Sequence, residues 1–364
     1  MVISDYPIAS FCQDDETMTL SNLTTDIDIA YSISNGDIVV DEFDEHYSPN
    51  NQGVVTLNGL GQLAMGYFST PTIRFDARTE WSGGVRIDGV VKDADTGEQI
   101  GSFSRRFYYA NCRTSIDDPW KFRGFLSRFH RRTVTPEQAI ILSWFDINQS
   151  LGIGIMCGDE WIEVTPYETE TSHHLMVDIW SLDRLAALDT RLKADEIKYA
   201  IFYLYNGSET LDAIQFDIDR SNKVVKTHFL FYNAFGVPES LCFTGQDKRS
   251  VEMQAEFAVA GREYRKIGTD FSVFHDVNTG YINQVTRETA EDLAVSRMAW
   301  TYQGKELLDK ITITEVKFEE SKPRTEPVNV SVKYRVANQV QRIIDRDMTI
   351  NYRIFDHTFG PQFE

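Results

Sequence analysis

Alternation of apolar and polar residues runs through much of this chain and commits it to β-structure. In residues 25–40 (TDIDIAYSISNGDIVV), Ile27, Ile29, Tyr31 and Ile33 recur at every second position. That period places them on one face of a strand. Asn35-Gly36 follows, a dipeptide suited to the positive φ angles of a two-residue hairpin turn. Residues 85–104 read as a second hairpin that turns at Asp95-Thr96-Gly97.

Segments of the same period recur at 140–145, 153–156, 161–164, 175–179, 224–232, 240–244, 251–259, 311–318 and 328–336. Residues 197–205 (IKYAIFYLY) are apolar at every position but Lys198, which predicts a strand covered on both faces. Short strands with turn signals about every 8–12 residues predict a mainly β protein, built as tandem β-sandwich modules of the immunoglobulin or fibronectin-like kind. Helical signals are few. Leu60 opens a weak one through residue 68, Ser181 can cap SLDRLAAL, and Thr286 can cap TRETAEDLAVSRMAW.

A length of 364 residues exceeds what one core organises well. The pattern divides it into an N-terminal β-sandwich (1–110), a connector or arm (111–136), two further β-rich modules (137–222 and 223–345) and a tail (346–364). A strand, a short helical turn and further strands occur in that order around Leu60, Ser181 and Thr286, which suggests three diverged copies of one module.

Charge excludes some functions. With 36 Lys and Arg against 55 Asp and Glu, the chain carries -19, the wrong sign for a general phosphate-backbone binder. No run approaches the ~18 apolar residues of a membrane span. The opening MVISDYPIASFCQDDE lacks the basic and apolar regions of a signal peptide, so assembly in a host cytoplasm is expected. Cys12, Cys112, Cys157 and Cys242 are far apart and read as reduced thiols, mostly buried, with no zinc-type pairing.

Catalytic and metal signatures are weak. Residues 93–98 (DADTGE) open like a calcium loop, but predicted strands flank them, so a hairpin turn is the better reading. His173 and His174 are adjacent on a predicted strand and face opposite ways. Asp159-Glu160 beside Trp161, and Asp117-Asp118 before Trp120, supply carboxylates near a ring without the paired geometry that glycoside hydrolysis needs. No GxSxG, Walker or GxGxxG motif is present. The expectation is a protein with no enzymatic activity, no cofactor and no metal.

One segment reverses the overall charge. Arg105, Arg106, Arg113, Lys121, Arg123, Arg128, Arg131 and Arg132 stand against only Asp117 and Asp118, a net of +6. Trp120, Phe122, Phe125, Leu126 and Phe129 are interleaved with them. Three readings stay open: stacking and phosphate contact with nucleic acid, a docking arm for an acidic partner including another copy of this chain, or a loop whose aromatics seal an interdomain core. Arginine with aromatics favours the docking arm, for which charge reversal at Arg128, Arg131 and Arg132 should block docking and spare the fold. The tail adds Phe355, Phe359 and Phe363, unusual at a chain end and suited to packing on this chain or a neighbour.

Several short motifs resemble virion structural proteins of phages and prophages from Bacteroidota hosts. They are Asp118-Pro119-Trp120 leading to Gly124-Phe125-Leu126, then residues 229–236 (FLFYNAFG) closing at Phe243-Thr244-Gly245. Asn278-Thr279-Gly280, residues 311–318, and an earlier stretch from Tyr47-Ser48-Pro49 to Gly53-Val54-Val55 complete the set. The resemblance implies a virion component on the tail, neck or baseplate side that contacts copies of itself and other virion proteins. The alternative is a carbohydrate-binding adhesin or receptor-binding tail protein, since exposed Trp and Tyr on β-sandwiches commonly hold sugars.

Overall fold

The computed structural model describes residues 1–337 except 5, 15–16, 69–72, 82–83, 168–173, 222, 224, 261–262, 281, 283 and 320–328. The described residues form 23 strands and three short α-helices, so the protein is mainly β, arranged in several open sheets. The first predicted hairpin is present as Ile27–Asn35 and Ile38–Tyr47, turning where Gly36 adopts a φ of +61°. The second is Gly84–Asp93 with Gln99–Tyr108. At its turn, Asp93 Oδ1 accepts the backbone N–H groups of Asp95 (3.1 Å) and Thr96 (2.9 Å), an Asx-type closure that uses the carboxylate on the loop itself.

Two units share one strand order. In the first, the five-stranded sheet runs Ala9–Phe11, Gln99–Tyr108, Gly84–Asp93, Ile27–Asn35, Ile38–Tyr47. In the second it runs Arg131–Val134, Glu209–Ile218, Ile197–Asn206, Ser150–Cys157, Glu160–Tyr167. In both, the first-named strand pairs parallel to its neighbour and every other pairing is antiparallel. Each unit adds a small antiparallel pair, Met18–Ser21 with Val55–Leu57 and Ile140–Phe145 with Leu175–Trp180. A short helix follows the second strand of each pair, Leu60–Met65 in one unit and Leu182–Ala186 in the other. Ser181 caps the latter, its hydroxyl accepting Arg184 N–H at 3.1 Å, as its sequence position suggests.

The third unit departs from this order. Its single seven-stranded sheet runs Pro238–Phe243, Thr227–Tyr232, Ala299–Gln303, Glu306–Glu319, Asn329–Val336, Glu263–Asn278, Asp247–Ala260. The helix Gln284–Val295 packs on it through Ala290 and Leu293, against Phe229, Val277 and Val330. That helix starts two residues before Thr286, which therefore lies inside it. The repeat suggested by the sequence thus holds for two units and fails for the third.

Two short strands shift the expected boundaries. Arg131–Val134, within the predicted connector, is an edge strand of the second unit's sheet. Arg78–Trp81, within the first 110 residues, pairs with Leu175–Trp180 of the second unit. Burial explains why the receiving layer reads as an unbroken apolar run: Ile140–Phe145 and Leu175–Trp180 are buried at every position. Ile140, Leu142 and Trp144 face the second unit's core, while Ile141 packs with Leu230 and Tyr302 of the third unit. The strand Ile197–Asn206 differs from expectation. One face is buried, but Tyr199, Ile201, Tyr203 and Tyr205 are only half-buried on the other.

Candidate assembly interface

The cationic aromatic segment does not project; it is the seam that joins all three units. Pro119 opens a tight turn in which Lys121 N–H reaches Asp118 O at 3.0 Å. The indole N–H of Trp120 donates to Tyr108 Oη at 2.9 Å, and Arg106 lies over the Trp120 ring at 5.7 Å. Ile116, Leu126, Trp120 and Phe122 pack with Phe11 and Tyr108 of the first unit, Phe145 and Ile147 of the second, and Phe235 and Val237 of the third. Phe125 bridges Trp144 and enters the second unit's core, and its N–H donates to Asp212 Oδ2 at 2.8 Å.

Burial corrects four of the proposed contact residues. Arg105 has no exposed surface; it donates to Ser10 Oγ at 3.0 Å and lies over the rings of Tyr6 and Phe107. Phe125, Phe129 and Arg132 are likewise buried, so none of the four can meet a partner in the folded chain. Three of the remaining cations are held by acceptors on this chain. Arg131 is exposed, yet makes a two-pronged pair with Asp217 at 2.6 and 3.3 Å. Arg128 holds Asp292 at 3.0 Å on the helix Gln284–Val295. Arg123 is exposed and donates to the Trp120 and Phe122 carbonyls. Phe355, Phe359 and Phe363 lie outside the described residues.

The electrostatics of the seam follow from its dryness. Arg132 pairs with Glu239 and donates to Ser240 O at 2.8 Å, tying the second unit to the third. Burial pushes the Asp292 carboxyl up to about 6, with Glu239 adding to the rise and Arg128 opposing it. The motif turn of the third unit closes the seam from the far side. Asn233 Nδ2 donates to Leu126 O at 3.0 Å, and Asn111 N–H donates to Ala234 O at 3.2 Å. Gly236, at φ +70°, lies where a Cβ would come within 2.4 Å of Tyr109 O.

Two exposed elements carry apolar surface that the sequence reading did not assign to a site. The strands Asp247–Ala260 and Glu263–Asn278 form one long hairpin, and among the described residues only His275 to Asn278 pair with the rest of the sheet, through Asn329–Val336. Beyond that root about eleven residue pairs continue as a two-stranded ribbon, roughly 35 Å at ~3.3 Å per residue. Val251 (50%), Met253 (61%) and Phe257 (61%) share one face of it and are exposed. The root is fixed by the paired motifs. Gly245 N–H donates to Asn278 O at 2.9 Å, and a Cβ on Gly245 would meet Gly280 N at 2.6 Å. His275 stacks on Tyr334 with ring centroids 5.1 Å apart and meets Asp247 at 3.3 Å. The alternation Val251, Met253, Phe257, Val259 was visible, but the charged turn end hid the returning strand.

The second element is the edge strand Ile38–Tyr47. It is terminal in its sheet, and Ile38, Val39 and Val40 are exposed beside a run of acids, Asp41, Glu42, Asp44 and Glu45.

An open pocket of about 640 Å³ lies beside the ribbon root, lined by Glu137, Lys226, His228, Asp247, His275 and Tyr334 among others. Several of its polar groups already have partners. Lys226 Nζ bonds both Glu137 oxygens at 2.8 Å, and His228 meets Thr135 Oγ1 at 3.2 Å. Burial lowers His228 to about 4, so its imidazole is neutral near pH 7. Among the described residues no cluster of three or more His, Cys, Asp or Glu could hold a metal ion. None of the described helices is long and apolar enough to cross a membrane. The four cysteines are free thiols, buried except for Cys112. No protein-family model matches the chain, and no curated protein matches it.

Proposed function

We propose that this chain is a non-enzymatic structural subunit of a phage virion or phage-like tail, placed in the tail, neck or baseplate by repeated protein–protein contacts. The observation that carries the reading is the ribbon of Asp247–Ala260 and Glu263–Asn278, which leaves the body with Val251, Met253 and Phe257 exposed. A free two-stranded ribbon is marginal in water, and an apolar face on it marks a surface meant for a partner.

The motifs that resemble virion proteins support the same reading. Residues 229–236 and 118–126 meet across the seam, and Gly245 and Asn278 clamp the ribbon root. The proposal includes tandem β-sandwich modules of the immunoglobulin or fibronectin-like kind. In its support, each of the first two units packs a five-stranded sheet and a smaller one around a shared apolar cluster. The virion is its proposed location, after assembly in a host cytoplasm. A carbohydrate-binding role finds less support, because no described Trp or Tyr is exposed as a stacking platform. Disrupting the gene in its source phage tests the reading. Particles should stall without a functional tail and recover with the gene supplied in trans; normal infectious particles without the chain would contradict it.

A further inference from the structure

We propose that the pocket beside the ribbon root binds a primary ammonium group on an apolar stem, as a lysine side chain or a free alkylamine presents it. The inference goes beyond the structural-subunit reading and does not depend on it. The pocket takes such a group whether or not the chain is found in particles.

The lining is drawn from six neighbouring strands of the seven-stranded sheet, and Glu137 adds a wall from the second unit. At about 640 Å³ the pocket has the size of a small-ligand site. Tyr334 is only 5% exposed, yet it lines the pocket and its hydroxyl has no hydrogen-bond partner among the described residues. A hydroxyl buried to that degree normally has one. Burial pushes this hydroxyl up, and the charges of Asp247 and Asp309 push the same way, so it stays protonated beside two carboxylates.

The charge around Tyr334 is uncompensated. Glu137, Asp247 and Asp309 line the pocket against one lysine. That lysine, Lys226, is committed to Glu137, whose two oxygens it bonds at 2.8 Å. Asp247 meets His275 at 3.3 Å and accepts the Thr227 hydroxyl at 3.4 Å. Asp309 has no ion-pair partner among the described residues. His228, held neutral by burial, adds no positive charge.

An ammonium group answers this arrangement. It brings three N–H donors, enough for oxygens of Asp309 and Asp247 and for Tyr334 Oη. Hydrogen bonds of that kind gain from the charge on both partners. Leu308 and Val336 also line the pocket and give an alkyl stem an apolar wall.

Ligand-observed NMR titration of the full-length chain tests the site with three probes: lysine capped at both ends, n-butylamine, and capped norleucine, which keeps the stem and lacks the ammonium. Capped lysine or n-butylamine should bind at about 1 mM or tighter, and capped norleucine at least about tenfold more weakly. Asp309→Asn and Tyr334→Phe should each weaken the ammonium probe by about tenfold. Asp309 is exposed and Tyr334→Phe removes one oxygen, so both variants should keep the wild-type urea midpoint.

Tighter binding of capped lysine than of n-butylamine would support the site and assign it to a peptide side chain; the reverse order would support it and assign it to a free amine. Failure of both ammonium probes to bind would overturn the site. So would equal binding of capped norleucine, or ammonium binding that both folded variants leave unchanged.

Discussion

Arg132 and Glu239 form an ion pair between the second and third units with side chains only 8% and 5% exposed. Arg132 also donates to Ser240 O at 2.8 Å, so both of its acceptors lie on the strand Pro238–Phe243 of the third unit. Removing one member of such a pair strands the other charge in a dry site, at a cost of about 3–5 kcal/mol. Arg132→Met should therefore lower the urea midpoint strongly. Arg132→Glu, which sets two carboxylates together, should lower it further. Charge reversal at this residue cannot spare the fold, as a freely projecting arm would allow.

Arg128 and Asp292 give the seam a pH dependence. The ordinary Asp292 value is 3.8, and burial raises it to about 6 in the folded chain. The folded state therefore holds this proton more tightly than the unfolded state. The contribution is complete below 3.8 and is lost as pH rises through about 6. Arg128 opposes that loss by pairing with the ionised form at 3.0 Å. Arg128→Ala should be nearly silent near pH 4 and should cost about 1–2 kcal/mol at pH 7.5, where the buried Asp292 carboxylate loses its partner. Denaturant titrations at the two pH values check this; an equal loss at both would exclude the electrostatic role.

His228 acts in the opposite direction. Its folded value of about 4 lies below the ordinary 6.5 because burial disfavours the charged ring. The stability associated with the neutral ring is present above 6.5 and is lost as pH falls towards 4. His228→Gln should flatten the acid limb of the stability profile between those values, as thermal unfolding at stepped pH would register.

Gly236 is the residue whose backbone the seam depends on. Its φ of +70° disfavours any side chain, and a Cβ would reach within 2.4 Å of Tyr109 O. Gly236→Ala should destabilise by about 1–3 kcal/mol. Gly97 also has a φ of +70°, but nothing lies within 4 Å of a Cβ there. Gly97→Ala should therefore cost less, and equal losses would show that the Tyr109 contact is unimportant.

Local structure was largely legible in the sequence. The hairpin through Gly36 and the Ser181 cap each declare themselves within a few residues, because periodicity and turn chemistry are local. The seam was legible in composition but not in role. A charge count over residues 105–132 shows eight cations, but it cannot show that Arg132 pairs with Glu239 or Arg131 with Asp217. The short strands Arg131–Val134 and Arg78–Trp81 were missed because four residues carry too little period and their partners are remote. The ribbon was half-read. Its outgoing strand alternates cleanly, whereas the bulge between Glu256 and Phe257 and the charged turn break the pattern of the return.

Quantitative mass spectrometry of purified particles, normalised to the major capsid protein, tests the structural role most directly. A subunit built in by repeated contacts should be present at a small fixed multiple per particle, unchanged between preparations. Absence of the chain from particles, or an amount that varies freely with its expression, would contradict that role.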